Sequence, residues 1–491
     1  MTDVQPSSPP AGDEPAPAFT AADLARVTGG RLVARSDRPI RGAAVDSRLV
    51  EPGQLFVALP GERTDGHAFL GAAVERGAAA LLVTRPPADP APLGDVTIVR
   101  VGDALAALQA AAAGWRLRFD PLVVGVTGSI AKTSTKEAVA TVLAARYRTL
   151  KTEGNQNNEI GLPLTVLGLG REHEAAVLEM GMYVGGEIRQ LAAIGRPQIG
   201  IVTAVQPVHL SRIGSIEAVE RAKAELVEAL PRDGRAILNA DDPRVVRMAA
   251  RTPAAILTYG FSSDADVRAA DVVSRGAGGM EFTLQTPVGA VPARIPMLGR
   301  LAVHNALAAA AAGLAAGVPL DAIARVLAAG WSAPHRGELH RAGGITLVDD
   351  AYNASPASVK AALELLSGLP GRRVAVLGTM LELGASHESG HREVGEAAAG
   401  IVELLVVVGA DAGAIADGAR SAGLAADRVL HVSDRETALD ALRPRVRDGD
   451  VILVKASRGI ALDRLVEDLR RELTPAERTD GATAPTAPPA R

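Results

Sequence analysis

The chain has 491 residues, of which 47% are hydrophobic and 22% are charged, and its formal net charge is −4. That length is typical of two to four domains, and the charge gives no electrostatic case for a nucleic acid or an anionic membrane as partner. Aromatic residues make up only 2%, which argues against stacking platforms for single strands, and the lack of cysteine excludes disulfides and thiolate metal sites.

The composition predicts three domains between two disordered tails. The tails, 1–18 and 476–491, are rich in proline and lack an apolar core, so neither resembles a signal peptide. No apolar run is long enough to span a bilayer, and we expect a cytoplasmic protein, as a monomer, without nucleic acid or membrane partners. The predicted domains are 19–120, 121–330 and 331–475.

The first predicted domain begins with the helical segment AADLARV and continues with brief strands and turns. A helix and a strand follow in AAVERGAAALLVTR. The alanine-rich segment DALAALQAAAAGWRLRF predicts a longer helix that ends at Asp120-Pro121, because proline stops a helix.

The second predicted domain opens with the buried strand PLVVGVTG, a glycine-containing loop and the helix TSTKEAVATVLAARY. The runs AAVLEMG and QIGIVTAV continue the βαβ pattern of a parallel sheet, MEFTLQTPVGAVPARIP predicts an antiparallel hairpin, and ALAAAAAGLAAGVPL predicts a buried helix. The third domain repeats the pattern with strands GITLVDD, RRVAVLG, ELLVVVG, RVLHVS and DVILVKAS. The fold class is therefore α/β, with a small N-terminal α/β domain, a central parallel-sheet domain and a C-terminal domain with a second open parallel sheet.

The segment GVTGSIAKTSTKE, Gly125 to Glu137, is close to the phosphate-binding pattern G-x-x-x-x-G-K-[ST], but Ala131 stands where the pattern has glycine. A loop between a strand and a helix presents backbone N–H groups to an anion; Lys132 would reach the terminal phosphates and Thr133 would ligate Mg²⁺. An ordinary strand-to-helix turn is the alternative. Alanine is costly here if the position needs a positive φ. The predicted nucleotide-binding residues of the loop are Thr127, Gly128, Ser129, Ile130, Ala131, Lys132, Thr133 and Ser134.

Three residues after the next strands could serve a Mg²⁺-nucleotide. Glu179 ends the run AAVLEMG and offers the oxygen ligand that a hard cation prefers, although a surface glutamate would look the same. His209 follows the next strand, where ligand-side loops converge, but a lone histidine is often structural. Lys223 lies on SIEAVERAKAELVEAL, which by itself indicates a solvated, charged helix face.

In the third domain, VDDAYNASP places Asp349, Asp350 and Asn353 at a strand end. Paired acids there can also be a simple turn and helix cap. Arg336, just upstream, could stabilise a triphosphate. The chain has no Asn-Lys-x-Asp guanine signature, so ATP is favoured over GTP.

Several segments resemble the Mur ligases, the ATP-dependent amide-forming enzymes of peptidoglycan precursor assembly. The resemblance covers about 20–475 and implies a central P-loop parallel-sheet ATPase domain and a C-terminal Rossmann-like domain. The loop is generic to that family, whereas GNQNNEIGLPLT, DDAYNASP and LGTMLELG resemble the branch that adds D-alanyl-D-alanine. The segments that carry the resemblance are DSRLVEPGQLFVALPGERTDGHAF, GVTGSIAKTSTKE, KTEGNQNNEIGLPLT, VTAVQPVHL with AKAEL, DDAYNASPASVKAALELL and LVKASRG.

The resemblance implies that ATP phosphorylates the terminal carboxylate of UDP-N-acetylmuramoyl-tripeptide and that the amine of D-alanyl-D-alanine attacks the acyl phosphate, with Mg²⁺ as cofactor. Lys132, Thr133 and Glu179 would hold phosphates and a first Mg²⁺, His209 would belong to a second Mg²⁺ site, and Lys223 matches a lysine that is carbamylated in the family. Arg336, Asp350, Asn353 and Asn305 would serve the nucleotide. The implied substrate-binding residues are Ser47, Arg48, Asp65, His67, Asn157 and Asn158.

The sequence departs from the family pattern at several positions besides Ala131. Ala204 replaces an asparagine, Leu301 and Ala302 replace a His-Asn pair, Thr379 replaces an aspartate and Ala456 replaces a glycine. The charged residues of the pattern remain, which favours an active ligase. Two alternatives stay open: a Mur ligase that adds a different amino acid, and a catalytically silent homologue that binds the UDP-linked precursor.

Overall fold

The computed structural model describes residues 17–61, 64–207 and 210–473. They form two compact units, which divide between Ala333 and Pro334. The predicted disordered tails lie outside the described residues except for Pro17 and Ala18, whose carbonyls accept hydrogen bonds from Arg41 and Arg118. The described residues therefore begin two residues before the predicted end of the N-terminal tail.

The first sheet has five strands in the order β1-β5-β4-β3-β2, with β1 antiparallel to β5 and the other pairs parallel. The alanine-rich helix ends at Arg116, before the predicted stop at Asp120-Pro121, and the Arg116 side chain donates to the Phe119 carbonyl in the turn that follows. The elements are α1 (Ala21–Thr28), β1 (Arg31–Ala34), β2 (Ala43–Ala44), β3 (Leu55–Val57), α2 (Leu70–Glu75), β4 (Ala80–Val83), β5 (Thr97–Arg100) and α3 (Ala104–Arg116).

The second sheet has nine strands in the order β14-β13-β12-β11-β10-β9-β6-β8-β7. It is parallel from β7 to β12, and the predicted hairpin is confirmed as the antiparallel pair β13–β14. The strands β7, β10, β11 and β12 of this sheet were not predicted. The elements are β6 (Leu122–Thr127), α4 (Lys132–Leu143), β7 (Thr149–Lys151), α5 (Gly161–Leu167), β8 (Ala175–Glu179), α6 (Glu187–Gly195), β9 (Ile199–Val202), α7 (Leu210–Ile213), α8 (Ile216–Glu228), β10 (Arg235–Asn239), α9 (Pro243–Arg247), β11 (Ala255–Gly260), β12 (Val267–Ser274), β13 (Met280–Thr286), β14 (Gly289–Ile295), α10 (Gly299–Ala315) and α11 (Leu320–Ala329).

The helix α10 confirms the prediction of a buried alanine-rich helix. Its residues from Ala306 to Ala312 are almost completely buried, and they pack in one core with α4. The helix α3 ties the first sheet to the second in a similar way. Trp115 donates to the Leu169 carbonyl at 3.0 Å, and the buried Arg116 donates to the Gly195 carbonyl at 2.9 Å. The boundary at 120/121 stays a prediction.

The position of β6 determines where a ligand can bind. The strand lies between β8 and β9. The strands β7 and β8 lie on one side of it and the strands from β9 onwards lie on the other, so the strand order reverses at β6. In open α/β sheets, ligands bind beyond the carboxyl ends of the strands at such a switch point. The loops after β6, β8 and β9 therefore converge on one edge.

The C-terminal unit holds a six-stranded sheet in the order β15-β16-β20-β17-β18-β19. The five predicted strands are confirmed and parallel, and an antiparallel edge strand, β15, was missed because its sequence is polar. The elements are β15 (Glu338–Ala342), β16 (Ile345–Asp349), α12 (Pro356–Ser367), β17 (Arg372–Gly378), α13 (His387–Ala399), β18 (Leu404–Val408), α14 (Gly413–Ser421), β19 (Val429–Val432), α15 (Arg435–Leu442), β20 (Asp450–Lys455) and α16 (Asp463–Leu473).

Among the described helices, none combines the length and the apolar character that crossing a membrane requires.

Candidate functional site

The loop after β6 is fixed to the segment after β9. Ser129 N donates to the Ala204 carbonyl at 2.8 Å, and the Thr203 hydroxyl donates to the Ile130 carbonyl at 2.6 Å. Gly128 has a φ of 150°, and a Cβ there would overlap the Thr203 hydroxyl. The loop is thus held in one shape by contacts that leave no room for a side chain at Gly128.

Ala131 has a φ of 65° and a ψ of 2° and stands immediately before the first residue of α4. This left-handed conformation is the one that glycine adopts at the lowest cost and that an L-residue with a Cβ adopts at a cost of about 1–2 kcal/mol. The loop therefore keeps the backbone shape of a glycine-containing loop although the glycine is absent. Its neighbour Thr127 is fully buried, and its hydroxyl donates to the Met180 carbonyl.

The two polar residues that open α4 point to the loop and to β8. Lys132 Nζ donates to the Gly128 carbonyl at 2.7 Å and to the Ser129 carbonyl at 3.4 Å. Thr133 Oγ1 donates to Glu179 Oε1 at 3.2 Å. Ser134 lies in the same first turn and is half-buried. The helix start thus places an ammonium and a hydroxyl beside the loop's backbone, where an anion would bind.

Glu179 ends β8 and is 1% exposed, so it is not the surface glutamate of the alternative interpretation. Its Oε1 also accepts from Asn157 Nδ2 at 2.7 Å, while its Oε2 is buried without a hydrogen-bond partner among the described residues. A buried carboxylate oxygen that is left unsatisfied costs free energy, which a ligand could recover. The hydroxyl of Thr133 and this carboxylate are oxygen donors of the kind that Mg²⁺ prefers, so the residues fit that ion.

Lys223 lies on α8 but is only 2% exposed, so the interpretation of this helix position as a solvated surface is wrong. In the part of the chain that the structure describes, no hydrogen bond or ion pair engages its ammonium. Burial, with a further contribution from the Lys132 ammonium, lowers the pKa of Lys223 well below its ordinary value. The predicted metal residue His209 lies outside the described residues.

The predicted substrate residues of the first sheet form two small ionic groups. Asp65 Oδ1 lies 2.7 Å from His67 Nδ1, Asp65 Oδ2 pairs with Arg85, and His67 Nε2 accepts from the Thr84 amide. Separately, Arg48 pairs with Asp46 at 2.6 Å. Each group ties a loop at a strand end and leaves a guanidinium largely exposed.

Three further predicted residues lie at a turn or accept hydrogen bonds within the first unit. Ser47, which begins a 3₁₀ turn, is 8% exposed. Asn158 accepts from the amides of Ile160 and Gly161 at the start of α5. Asn305 is 5% exposed and accepts from the Thr135 hydroxyl at 3.1 Å. Of the two predicted substrate residues Asn157 and Asn158, only Asn157 contacts Glu179 among the described residues.

The C-terminal unit brings its own predicted residues together. The guanidinium of Arg336 lies 4.1 Å from the ring centre of Tyr352. Asp350 Oδ2 accepts from Lys455 Nζ at 2.6 Å, and the Asn353 carbonyl accepts from the same ammonium at 2.9 Å. The paired acids are thus more than a turn and helix cap, because one of them neutralises a buried lysine.

Sequence reasoning missed two residues that hold these sites together, Thr203 and Lys455. Both lie in the segments VTAV and LVKAS, in which only Ala204 and Ala456 were identified as departures from the family pattern. A polar residue at the carboxyl end of a buried strand was the available signal for each. The contact of Thr203 with Gly128 could not be read from the sequence, because it joins residues of different strands.

The fold and the loop define a class, that of α/β proteins with a phosphate-binding loop at the switch point of a parallel sheet. The model of the Mur ligase middle domain matches residues 126–313. Models of the Mur ligase family catalytic domain and of the Mur ligase glutamate ligase domain match 39–116 and 335–458.

The chain is similar over most of its length to curated ligases. It is 39% identical to the UDP-N-acetylmuramoyl-tripeptide–D-alanyl-D-alanine ligase of Bacillus subtilis, over 88% of this chain and 93% of the relative. The ligase of the same name from Escherichia coli is 37% identical, over 93% and 99%. The chain belongs to the Mur ligase family.

Solved structures agree with this assignment. MurF from Acinetobacter baumannii matches with a TM-score of 0.83 and 30% identity, covering 93% of this chain and all of that one. The MurF ligase of Thermotoga maritima in complex with ADP matches with a TM-score of 0.78 and 29% identity, over 88% and 98%. The expected three-domain α/β architecture is confirmed.

Proposed function

We propose that the protein is an ATP-dependent ligase that joins D-alanyl-D-alanine to UDP-N-acetylmuramoyl-tripeptide in the cytoplasmic synthesis of peptidoglycan precursors. The observation that carries the proposal is the convergence of Lys132, Glu179 and Lys223 on one edge of the central sheet. The relatives that carry this name match the chain over nearly its whole length.

The reaction joins two anions before it forms the amide. The terminal carboxylate of the tripeptide attacks the γ-phosphorus of ATP, which gives an acyl phosphate and releases ADP. The amine of D-alanyl-D-alanine then attacks the acyl carbon, loses a proton and expels inorganic phosphate. Positive charge at the phosphates is the main physical demand, because a carboxylate must approach a triphosphate.

Lys132 supplies part of that charge. In the structure its ammonium donates to two loop carbonyls, so it is already aligned over the loop. When the phosphates enter, their oxygens can replace these carbonyls as acceptors, while the backbone N–H groups and the start of α4 face the same anion. The loop contacts from Thr203 and Ala204 keep that geometry fixed before ATP binds.

Thr133 and Glu179 would hold Mg²⁺, and His209 would take part in a second Mg²⁺ site. Bound there, the ion supplies Lewis-acid neutralisation of phosphate charge. Asn157 fixes the Glu179 carboxylate through its amide at 2.7 Å, which leaves Oε2 as the unsatisfied oxygen.

Lys223 is proposed to carry a carbamate. Its lowered pKa raises the fraction of neutral amine, and only the neutral amine can add to CO₂, forming an N–C bond with loss of a proton. The product is an anion, and the positive charge of Lys132, which disfavours the Lys223 ammonium, would stabilise it.

The remaining roles follow the family pattern. Arg336, Asp350, Asn353 and Asn305 are assigned to the nucleotide, and the protein is assigned to the monomeric state with domains at 19–120, 121–330 and 331–475. The assigned binding residues for the UDP-linked substrate are Ser47, Arg48, Asp65, His67, Asn157 and Asn158.

The test is product formation. The full chain is incubated with ATP, Mg²⁺, UDP-N-acetylmuramoyl-tripeptide and D-alanyl-D-alanine, and the product is identified by mass. One pentapeptide product per ADP is expected. Product with single amino acids instead would assign a different amine acceptor. Binding of the UDP-linked substrate without ADP formation would make the protein a silent homologue and overturn the proposal.

A further inference from the structure

The C-terminal unit contains a second cluster of potential metal ligands, away from the phosphate-binding loop in sequence. One ligand atom each of Glu338, His340 and Asp349 lies within 4.8 Å of the others. The measured pairs are His340 Nε2 to Asp349 Oδ2 at 3.7 Å and His340 Nε2 to Glu338 Oε2 at 3.8 Å. None of these three residues was assigned to the nucleotide or the substrates above.

Strand pairing explains why the three side chains meet. Glu338 and His340 are two residues apart on β15, so they point to the same face of the sheet. Asp349 pairs directly with Glu338 in the antiparallel register of β15 and β16. Directly paired residues have Cβ atoms about 5 Å apart on one face, so the backbone itself holds the three ligands together.

The burial of the cluster suits an ion that enters from solvent. The Asp349 side chain is 2% exposed and that of His340 is 13% exposed, whereas that of Glu338 is 46% exposed. The buried Asp349 carboxylate and the exposed Glu338 carboxylate carry negative charge that a divalent cation would neutralise. The exposed Glu338 forms the entry side.

A further histidine supports the carboxylate that would bind the metal. His335 Nδ1 lies 2.7 Å from Asp349 Oδ2, and the Ala351 amide donates to Asp349 Oδ1 at 3.2 Å. Carboxylates that ligate metals are commonly held by such outer hydrogen bonds. The alternative is a hydrogen-bonded ionic cluster in which the two imidazoles alone satisfy Asp349.

We propose that Glu338, His340 and Asp349 form a binding site for a divalent transition ion of the Zn²⁺ class, with His335 as the positioning residue for Asp349. An imidazole in the ligand set favours Zn²⁺, Co²⁺ or Ni²⁺ over Mg²⁺, which prefers oxygen ligands only. Three protein ligands leave a coordination position for water. The proposal does not rest on the ligase activity, because it is argued only from the positions of these four side chains.

The experiment is a Co²⁺ titration of the full-length protein, freed of metal by a chelator and held in excess Mg²⁺ so that oxygen-rich sites are occupied. The expected result is one equivalent of Co²⁺ with visible absorption, which Zn²⁺ abolishes because its filled d shell is silent. His340→Gln and Glu338→Gln should weaken binding at least about tenfold, and His335→Gln about 10–100-fold.

His431→Gln is the matched control, because His431 lies exposed on β19 in the same unit and outside the cluster. It should bind Co²⁺ as the unchanged protein does. If His340→Gln fails to fold, Glu338→Gln decides, since it alters a largely exposed side chain. No Co²⁺ absorption, or absorption that Glu338→Gln leaves unchanged, would overturn the proposal and leave a hydrogen-bonded cluster.

Discussion

Lys223 in the first unit and Lys455 in the C-terminal unit are both buried beside predicted site residues, and the charges around the two lysines differ. Lys223, in the first unit, is 2% exposed and its charged neighbour is another ammonium, that of Lys132. Lys455, in the C-terminal unit, is equally buried but donates to Asp350 Oδ2 at 2.6 Å and to the Asn353 carbonyl at 2.9 Å.

Burial lowers the pKa of both lysines, but for Lys455 the Asp350 carboxylate opposes that shift. The cation in the C-terminal unit is therefore balanced within the protein. No carboxylate among the described residues pairs with Lys223, so its lowered pKa favours the neutral amine. A buried lysine of this kind is a candidate for chemical modification, whereas Lys455 and Asp350 form an ion pair within the protein.

The largest expected effect is that of replacing Lys132, the lysine of the phosphate-binding loop in the first unit. Lys132→Met should lower ligase turnover about 100- to 1000-fold, because a positive group aimed at the developing phosphate charge is lost. Steady-state ADP release measures it, with thermal unfolding to verify the fold. Turnover within a few-fold of the unchanged protein would remove Lys132 from the mechanism.

The second prediction concerns the ion pair of Lys455 and Asp350 in the C-terminal unit. Lys455→Met should lower the free energy of unfolding by about 3–5 kcal/mol, because Asp350 loses the cation that compensates it. Urea unfolding provides the measurement. Lys360→Met is the control, since Lys360 forms an exposed ion pair with Glu393 and should cost less than about 1 kcal/mol. Equal effects for the two variants would contradict the structural role of Lys455.

The third prediction replaces Lys223 by methionine and expects the opposite sign for the change in the free energy of unfolding. Lys223→Met should leave stability unchanged or raise it, because it removes a buried cation without orphaning an anion.

The effect of Lys223→Met depends on pH. The folded pKa of Lys223 is lowered below the unfolded value, so the unfolded state binds more protons between the two. The cost of burying Lys223 is full below the lowered folded pKa and disappears as pH rises towards the ordinary value of 10.5. The gain from the variant should therefore shrink with rising pH in unfolding curves recorded without CO₂. A gain that grows with pH would contradict the assignment.

The smallest expected effect lies in the phosphate-binding loop. Ala131→Gly should raise the free energy of unfolding by up to about 1 kcal/mol, since glycine adopts a φ of 65° without the Cβ strain. Ala144→Gly, at the end of the same helix with a φ of −63°, should instead lower it by about 0.5–1 kcal/mol. A loss of stability in both variants would mean that Ala131 carries no strain.

Most of the fold was predictable because its strands are continuous apolar runs and its helices have clear periodicity. The runs that lead into Gly128 and Glu179 became β6 and β8, and both ends face the site. The polar edge strand β15 and the three-residue strand β7 were missed because no apolar run marks them, and β10, β11 and β12 were also missed although they contain apolar residues. The end of α3 was predicted too late in the chain. The helix ends at Arg116, and the turn to Phe119 comes before the proline.

The sequence by itself determined the family, the phosphate-binding loop and the residue types at the site, because these depend on local spacing. The tertiary structure alone decided which side chains are buried and what faces them. Lys223 looked like a surface residue on a charged helix, and Lys455 like an ordinary strand residue. The structure buries both and gives an anion to only one, because the effect of burial on a charge depends on neighbours far away in the chain.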